Sequence, residues 1–76
     1  MKEKIMKIIQ DNRPDLEICE TTDFIGDALL DSFDIVTLVA EFDKAFNISI
    51  DGDDITPDNF RTVSDIENLI LKNGAK

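Results

Sequence analysis

Between Ser32 and Phe46 the apolar residues Ile35, Leu38, Val39, Phe42 and Phe46 recur at i, i+3, i+4, i+7 and i+11, the spacing that gathers side chains on one face of a helix. A stripe of this width has to be covered by other elements. Two more segments can cover it. From Lys2 to Asn12, Ile5, Ile8 and Ile9 form a helical stripe that Met1 and Asn12 extend, and Pro14 disfavours helical geometry at Arg13. Near the other end, Thr62 with Asp65 resembles a capping box that opens a helix whose Val63, Ile66, Leu69 and Ile70 face inward, with Gly74 just past its end. Between them, Asn47 is a helix stop, Ile48-Ser49-Ile50 a short extended link, and Thr56-Pro57 a cap followed by proline at the first position of a short helix through Phe60. The expectation is an all-α chain, a four-helix bundle of three main helices and one short one.

At 76 residues the chain is expected to form one domain, residues 1–76, and to bury only about 60% or slightly more of its unfolded surface. Its aromatic residues are five phenylalanines, so the core is aliphatic with Phe added. Seventeen acidic residues against eight basic ones leave a net charge of −9, which argues against nucleic-acid binding and for partners with basic surfaces. The segment Met1-Lys2-Glu3-Lys4-Ile5-Met6-Lys7 lacks the features of a secretory signal, and no apolar run approaches membrane-spanning length. Together with a lone cysteine, Cys19, these features predict a soluble, cytoplasmic protein without membrane insertion, acting as a monomer.

Residues 15 to 30 hold no regular period, and loops of this length are often functional or disordered. Leu16, Ile18, Phe24, Leu29 and Leu30 can pin the segment across a helical core, so an ordered loop with at most a short helical turn is expected. Every charged residue between Pro14 and Asp43 is acidic. Charge runs are usually solvated faces, but this one centres on the junction where the loop enters the second helix, at Leu29-Leu30-Asp31-Ser32-Phe33-Asp34.

The chain has no histidine, one cysteine and no evident base beside any serine, so a catalytic function is not expected. Cys19 reads as an inert, partly buried residue with no cation nearby in sequence to lower its pKa. The carboxylates of Asp51-Gly52-Asp53-Asp54 and Asp58 do not follow the EF-hand order, and no metal site is assigned. Ser32 remains. A serine at a helix start is commonly an N-cap, yet an anionic group on that hydroxyl would also meet the positive helix end. Asp31 and Asp34 do not favour a neighbouring phosphate, so their better use is to recruit a basic enzyme that modifies the serine. Phe33, Val36 and Ala40 form a second, weaker apolar line beside them.

Leu30-Asp31-Ser32-Phe33-Asp34, with Leu29 before it and Val36, Leu38, Val39, Phe42 and Phe46 after it, resembles the acyl and peptidyl carrier proteins, whose signature is Asp-Ser-Leu followed by such a helix. The resemblance extends over nearly the whole chain, through the acidic first loop, Asp54-Ile55-Thr56-Pro57-Asp58-Asn59-Phe60 and the closing Thr62-Val63-x-x-Ile66. It implies a bundle of carrier-protein type and a 4′-phosphopantetheine on Ser32, transferred from coenzyme A by a magnesium-dependent phosphopantetheinyl transferase. The thiol of that arm would hold an acyl or aminoacyl group as a thioester, which lets a protein without a reactive side chain serve acyl chemistry. The face implied for the transferase, loading enzymes and acyl-handling partners is Asp31, Phe33, Asp34, Val36, Thr37, Ala40 and Asp43.

Phe33 stands where the family most often has leucine or methionine, and Thr37 and Lys44 stand where fatty-acid carriers usually show glutamate. The segment from Ile55 to Phe60 is more similar to peptide-synthetase carriers or to the D-alanyl carriers of teichoic acid modification. Fatty acid, polyketide or nonribosomal peptide biosynthesis therefore all stay open. So does a reading from another class, a small acidic helical interaction domain in which Ser32 only caps a helix.

Overall fold

A computed structural model describes residues 1–74, and among these the chain is entirely helical and irregular. Three α-helices form: α1 (Lys2–Asn12), α2 (Ser32–Phe46) and α3 (Val63–Lys72). Two 3-10 turns, Gly52–Asp54 and Pro57–Phe60, lie between α2 and α3. The short fourth helix is thus a 3-10 turn, and the turn at Gly52 was not anticipated. Helix α1 packs on both α2 and α3, and the Pro57–Phe60 turn packs on α3.

The helical periods account for the core. Ile5 and Ile9 from α1, Ile35, Leu38, Val39 and Phe42 from α2, and Val63, Ile66, Leu69 and Ile70 from α3 are buried together. Ile8 and Phe46 pack at its margin, where Lys4 lies 4.7 Å over the Phe46 ring and donates to the Ala45 carbonyl at 3.0 Å. Met1 and Asn12, expected to extend the α1 face, are exposed instead. The amide of Asn12 turns back along the helix to the Ile8 carbonyl at 2.9 Å.

The termini follow local chemistry. Arg13, before Pro14, leaves the helical region at φ −131° and ends α1. Asn47 ends α2 in the left-handed conformation, φ 54° and ψ 51°, which asparagine tolerates better than most residues. At α3 the Thr62 hydroxyl accepts from the Asp65 amide at 3.2 Å and donates to the Asp65 carboxylate at 3.0 Å. Thr56 differs from expectation: its hydroxyl does not cap the following turn. Its carbonyl accepts from Asn59 instead, at 3.1 Å, while Pro57 at the next position has no N–H to be capped.

The loop from 15 to 30 is pinned chiefly by Phe24 and Leu30, both buried, with Leu16, Ile18 and Leu29 packed partly against the core. A turn over residues 24–28 is anchored by Asp23, whose carboxylate accepts from the Gly26 amide at 2.7 Å and the Ile25 amide at 3.2 Å. A side chain at position 26 would collide with that carboxylate. Asp23 also faces Arg61 at 3.5 Å, and the Phe24 amide donates to the Arg61 carbonyl at 2.8 Å. The loop is therefore fastened to the segment just before α3, and its far end delivers Leu30 to the start of α2.

Candidate functional site

The start of α2 is built by a reciprocal capping box. Asp31, in extended geometry, is the N-cap: its carboxylate accepts from the Asp34 amide at 2.9 Å, and the Asp34 carboxylate accepts from the Asp31 amide at 3.3 Å. Ser32 is the first residue inside the helix and is exposed. The reading in which Ser32 caps the helix is therefore corrected. A cap needs extended backbone and a side-chain oxygen aimed at the amides two or three residues on, and Asp31 meets both conditions. Among the described residues no intramolecular hydrogen bond engages the Ser32 hydroxyl, which is left to solvent at the positive end of the helix.

From Ser32 one side of α2 faces outward. Phe33 is 79% exposed and Val36 63%, Ala40 is exposed, and Thr37 is half-buried with its hydroxyl donating to the Phe33 carbonyl at 3.1 Å. Two large apolar side chains thus stand in water within one turn of the serine. The remaining acids of the expected face are engaged within the fold. Asp43 is half-buried and accepts from the Ile50 amide at 2.9 Å, tying the link after α2 back to the helix. Asp34 is turned toward α1, where its carboxylate meets the Arg13 guanidinium at 2.6 Å.

Arg13 was not singled out by the sequence reading. It also donates to the Leu29 carbonyl at 3.3 Å and forks onto Asp15 through two contacts of 3.2 Å. The available signal was its place as the last cation before the long acidic run. Asp15 is held below the usual carboxylate range chiefly by its hydrogen bond from Arg13. Asp23 is lowered chiefly by the Gly26 amide, with Arg61 adding to the effect against partial desolvation.

Cys19 differs from the inert, partly buried thiol that was expected. It is exposed, and its sulfur lies 3.2 Å from the Thr21 hydroxyl and 3.4 Å from that of Thr22, which bring its pKa down to about 7. The cause is hydroxyl hydrogen bonding, which a search for neighbouring cations does not reveal. The acids of the second loop also have fold-level roles: Asp51 caps the Gly52–Asp54 turn, Asp54 pairs with Lys72 at 3.0 Å, and Asp58 pairs with Arg61 at 3.2 Å.

A phosphodiester on Ser32 fits this arrangement, because the hydroxyl is accessible, uncommitted and at a helix N-terminus whose cap is supplied by a different residue. Residues 3–70 match the family model for the phosphopantetheine attachment site. The chain is similar to the acyl carrier protein of Phytoplasma australiense, 46% identical over 52 residues that cover 68% of this chain and 66% of the relative. It is 48% identical, over 52 residues and the same shares of both chains, to the acyl carrier proteins of Onion yellows phytoplasma (strain OY-M) and Aster yellows witches'-broom phytoplasma (strain AYWB). The matched stretch thus spans just under two thirds of these relatives' length. No solved structure matches the chain. No helix among the described residues is long and apolar enough to cross a membrane. With residues 3–70 matching the attachment-site model, the chain belongs to the phosphopantetheine-binding carrier family, whose members hold covalent 4′-phosphopantetheine.

Proposed function

We propose that residues 1–76 act as a single carrier domain that holds an acyl group as a thioester on 4′-phosphopantetheine attached to Ser32, and presents it to partner enzymes in the cytoplasm. The observation that carries this reading is the exposed, uncommitted hydroxyl at the first position of α2, inside the stretch that matches the attachment-site family. When bound, the prosthetic group supplies a thiol at the end of a long arm, which no side chain of this protein provides. In the loading step the Ser32 oxygen would bond to the pantetheine phosphorus of coenzyme A, its proton passing to the transferase, while the bond from that phosphorus to the bridging pyrophosphate oxygen breaks and the oxygen leaves on the adenine nucleotide. The protein's part is to present that oxygen on a fixed helix end, clear of the core.

Partner recognition is assigned to the outward side of α2. Phe33, Val36 and Ala40 provide apolar contact, with Thr37 between them and Asp31 beside the serine. Apolar anchors of this kind give a docking site affinity, while the net charge of −9 draws basic enzymes toward it. Asp34 and Asp43 border the face with their carboxylates already engaged. An aminoacyl cargo, of the D-alanyl or peptidyl type, is the second reading, favoured by Phe33, Thr37 and Lys44 in place of the residues usual in fatty-acid carriers.

Incubation with a broad-specificity phosphopantetheinyl transferase, coenzyme A and magnesium, followed by intact mass measurement, tests the assignment. One phosphopantetheine adduct, absent in Ser32→Ala, is expected. No adduct, or one that survives the substitution, rejects it. Loading of the modified protein by purified acyl-activating and aminoacyl-activating enzymes then separates the two cargo classes.

A further inference from the structure

A single guanidinium holds the chain on both sides of Ser32. Arg13 donates to the Leu29 carbonyl, three residues before the serine, at 3.3 Å, and to the Asp34 carboxylate, two residues after it, at 2.6 Å. That carboxylate oxygen also accepts from the Asp31 amide at 3.3 Å, and Asp31 in turn caps Asp34 at 2.9 Å. The ion pair is sheltered for its kind: the Asp34 side chain is 20% exposed and that of Arg13 31%, against 64% for Asp15. Arg13 itself is set at the end of α1 by Pro14, by the bond from its amide to the Ile9 carbonyl at 2.8 Å, and by the fork onto Asp15.

We propose that Arg13 is a positioning residue for modification of Ser32: it locks the Asp31–Asp34 capping box against α1, fixes where the serine oxygen stands, and keeps Asp34 from serving as a docking charge. The inference rests on the reading of Ser32 as the attached residue. Its physical basis is that group transfer requires near-attack geometry, and a displacement of about 1 Å at the reacting atom can cost about a hundredfold in rate. A planar fork with several donors can hold Asp34, Leu29 and Asp15 together, whereas a lysine ammonium on a flexible stem cannot hold all three in a fixed geometry. Were Asp34 instead a docking charge, Arg13 would compete with the transferase for it. Removing the arginine would then help.

The test uses the full chain as wild type, Arg13→Gln, Arg13→Lys, Asp34→Asn and the double variant Arg13→Gln/Asp34→Asn, each modified by the same transferase at low and high salt. Arg13→Gln and Asp34→Asn are each expected to lower kcat about tenfold with little change in KM. The double variant should be no slower than the slower single one, Arg13→Lys should fall between, and the salt dependence should match wild type. Amide hydrogen exchange on the unmodified proteins separates local loosening from unfolding. Exchange at Asp31 and Asp34 should quicken in Arg13→Gln, while Ile66, Leu69 and Ile70 of α3 stay protected. A rise in kcat/KM, an effect confined to KM, additive losses, an unchanged rate, or equal loss of protection in α3 overturns the proposal. If wild type is not modified at all, the attachment reading falls and the positioning role with it. If wild type is modified and Arg13→Gln behaves like it, only the positioning role falls.

Discussion

At Cys19 a thiol on an irregular loop sits between two threonine hydroxyls, with its own amide donating to the Thr22 oxygen at 2.8 Å. Hydrogen bonds donated to sulfur favour the thiolate, and the pKa falls to about 7, with Thr21 the larger contributor. Alkylation by iodoacetamide should therefore show a pH midpoint near 7, and Thr21→Val should move it upward toward the ordinary value of about 8.5. A midpoint unchanged by that substitution would assign the shift to another cause. Ala28 illustrates how far the same loop is specified by its surroundings. It sits at φ 55°, which alanine adopts at a cost of roughly 1–2 kcal/mol, in a turn where the Leu29 and Leu30 amides both donate to the Phe24 carbonyl, at 2.9 and 3.2 Å.

At the scale of the element, α2 divides its two sides between the core and the solvent, and the proposed recognition face is the second. Its inner side supplies Ile35, Leu38, Val39 and Phe42 to the core, and its outer side leaves Phe33 and Val36 in water. Since these two bury little within the chain, Phe33→Ala and Val36→Ala should change stability by no more than about 0.5 kcal/mol in urea unfolding. Either should slow modification or loading by a partner about tenfold when the side chain anchors the interface. A large loss of stability, or unchanged partner kinetics, would contradict this division. The helix start shows the same economy of roles. Asp31 caps, Asp34 braces and Ser32 is left accessible, so neighbouring residues in one motif perform different physical tasks.

Across the whole molecule, the charge balance is uneven but not idle. Arg13, Arg61 and Lys72 each hold an acid from a different part of the chain, joining the end of α1 to α2, the long loop to the segment before α3, and the Gly52–Asp54 turn to α3. For Asp23 the sign of the pH effect follows from its lowered folded value. Its contribution to stability is present above the unfolded carboxyl value of about 3.9 and is lost as the pH falls through the lower folded value. The difference in urea midpoint between wild type and Asp23→Asn should therefore be constant above about pH 5 and shrink toward zero in stronger acid. A difference that persists there would show that the substitution acts through shape. The loop is also part of the core in energetic terms. Burying a phenylalanine contributes about 1.5–3 kcal/mol, a large fraction of the roughly 4–11 kcal/mol expected for a chain this size, and Phe24 is as fully buried as Phe42 and Phe60.

The sequence by itself determined where the helices lie, because helical period, Pro14, Asn47 and Thr62 are local signals acting over a few residues. It also marked Ser32 through its register with the Ile35 to Phe46 stripe. Asp31-x-x-Asp34 is a capping signal as well, with carboxylates at the N-cap and three residues on. What only the tertiary structure decided was how the acids are shared out. Arg13 and Asp34 are far apart in sequence and meet only because α1 docks against α2. Asp43 is turned to Ile50 by the path of the link after α2. A run of like charges looks uniform in sequence, since nothing local states which carboxylates will face a cation or an amide. Packing of the helices makes that choice, and with it separates the acids engaged within the fold from those left to solvent.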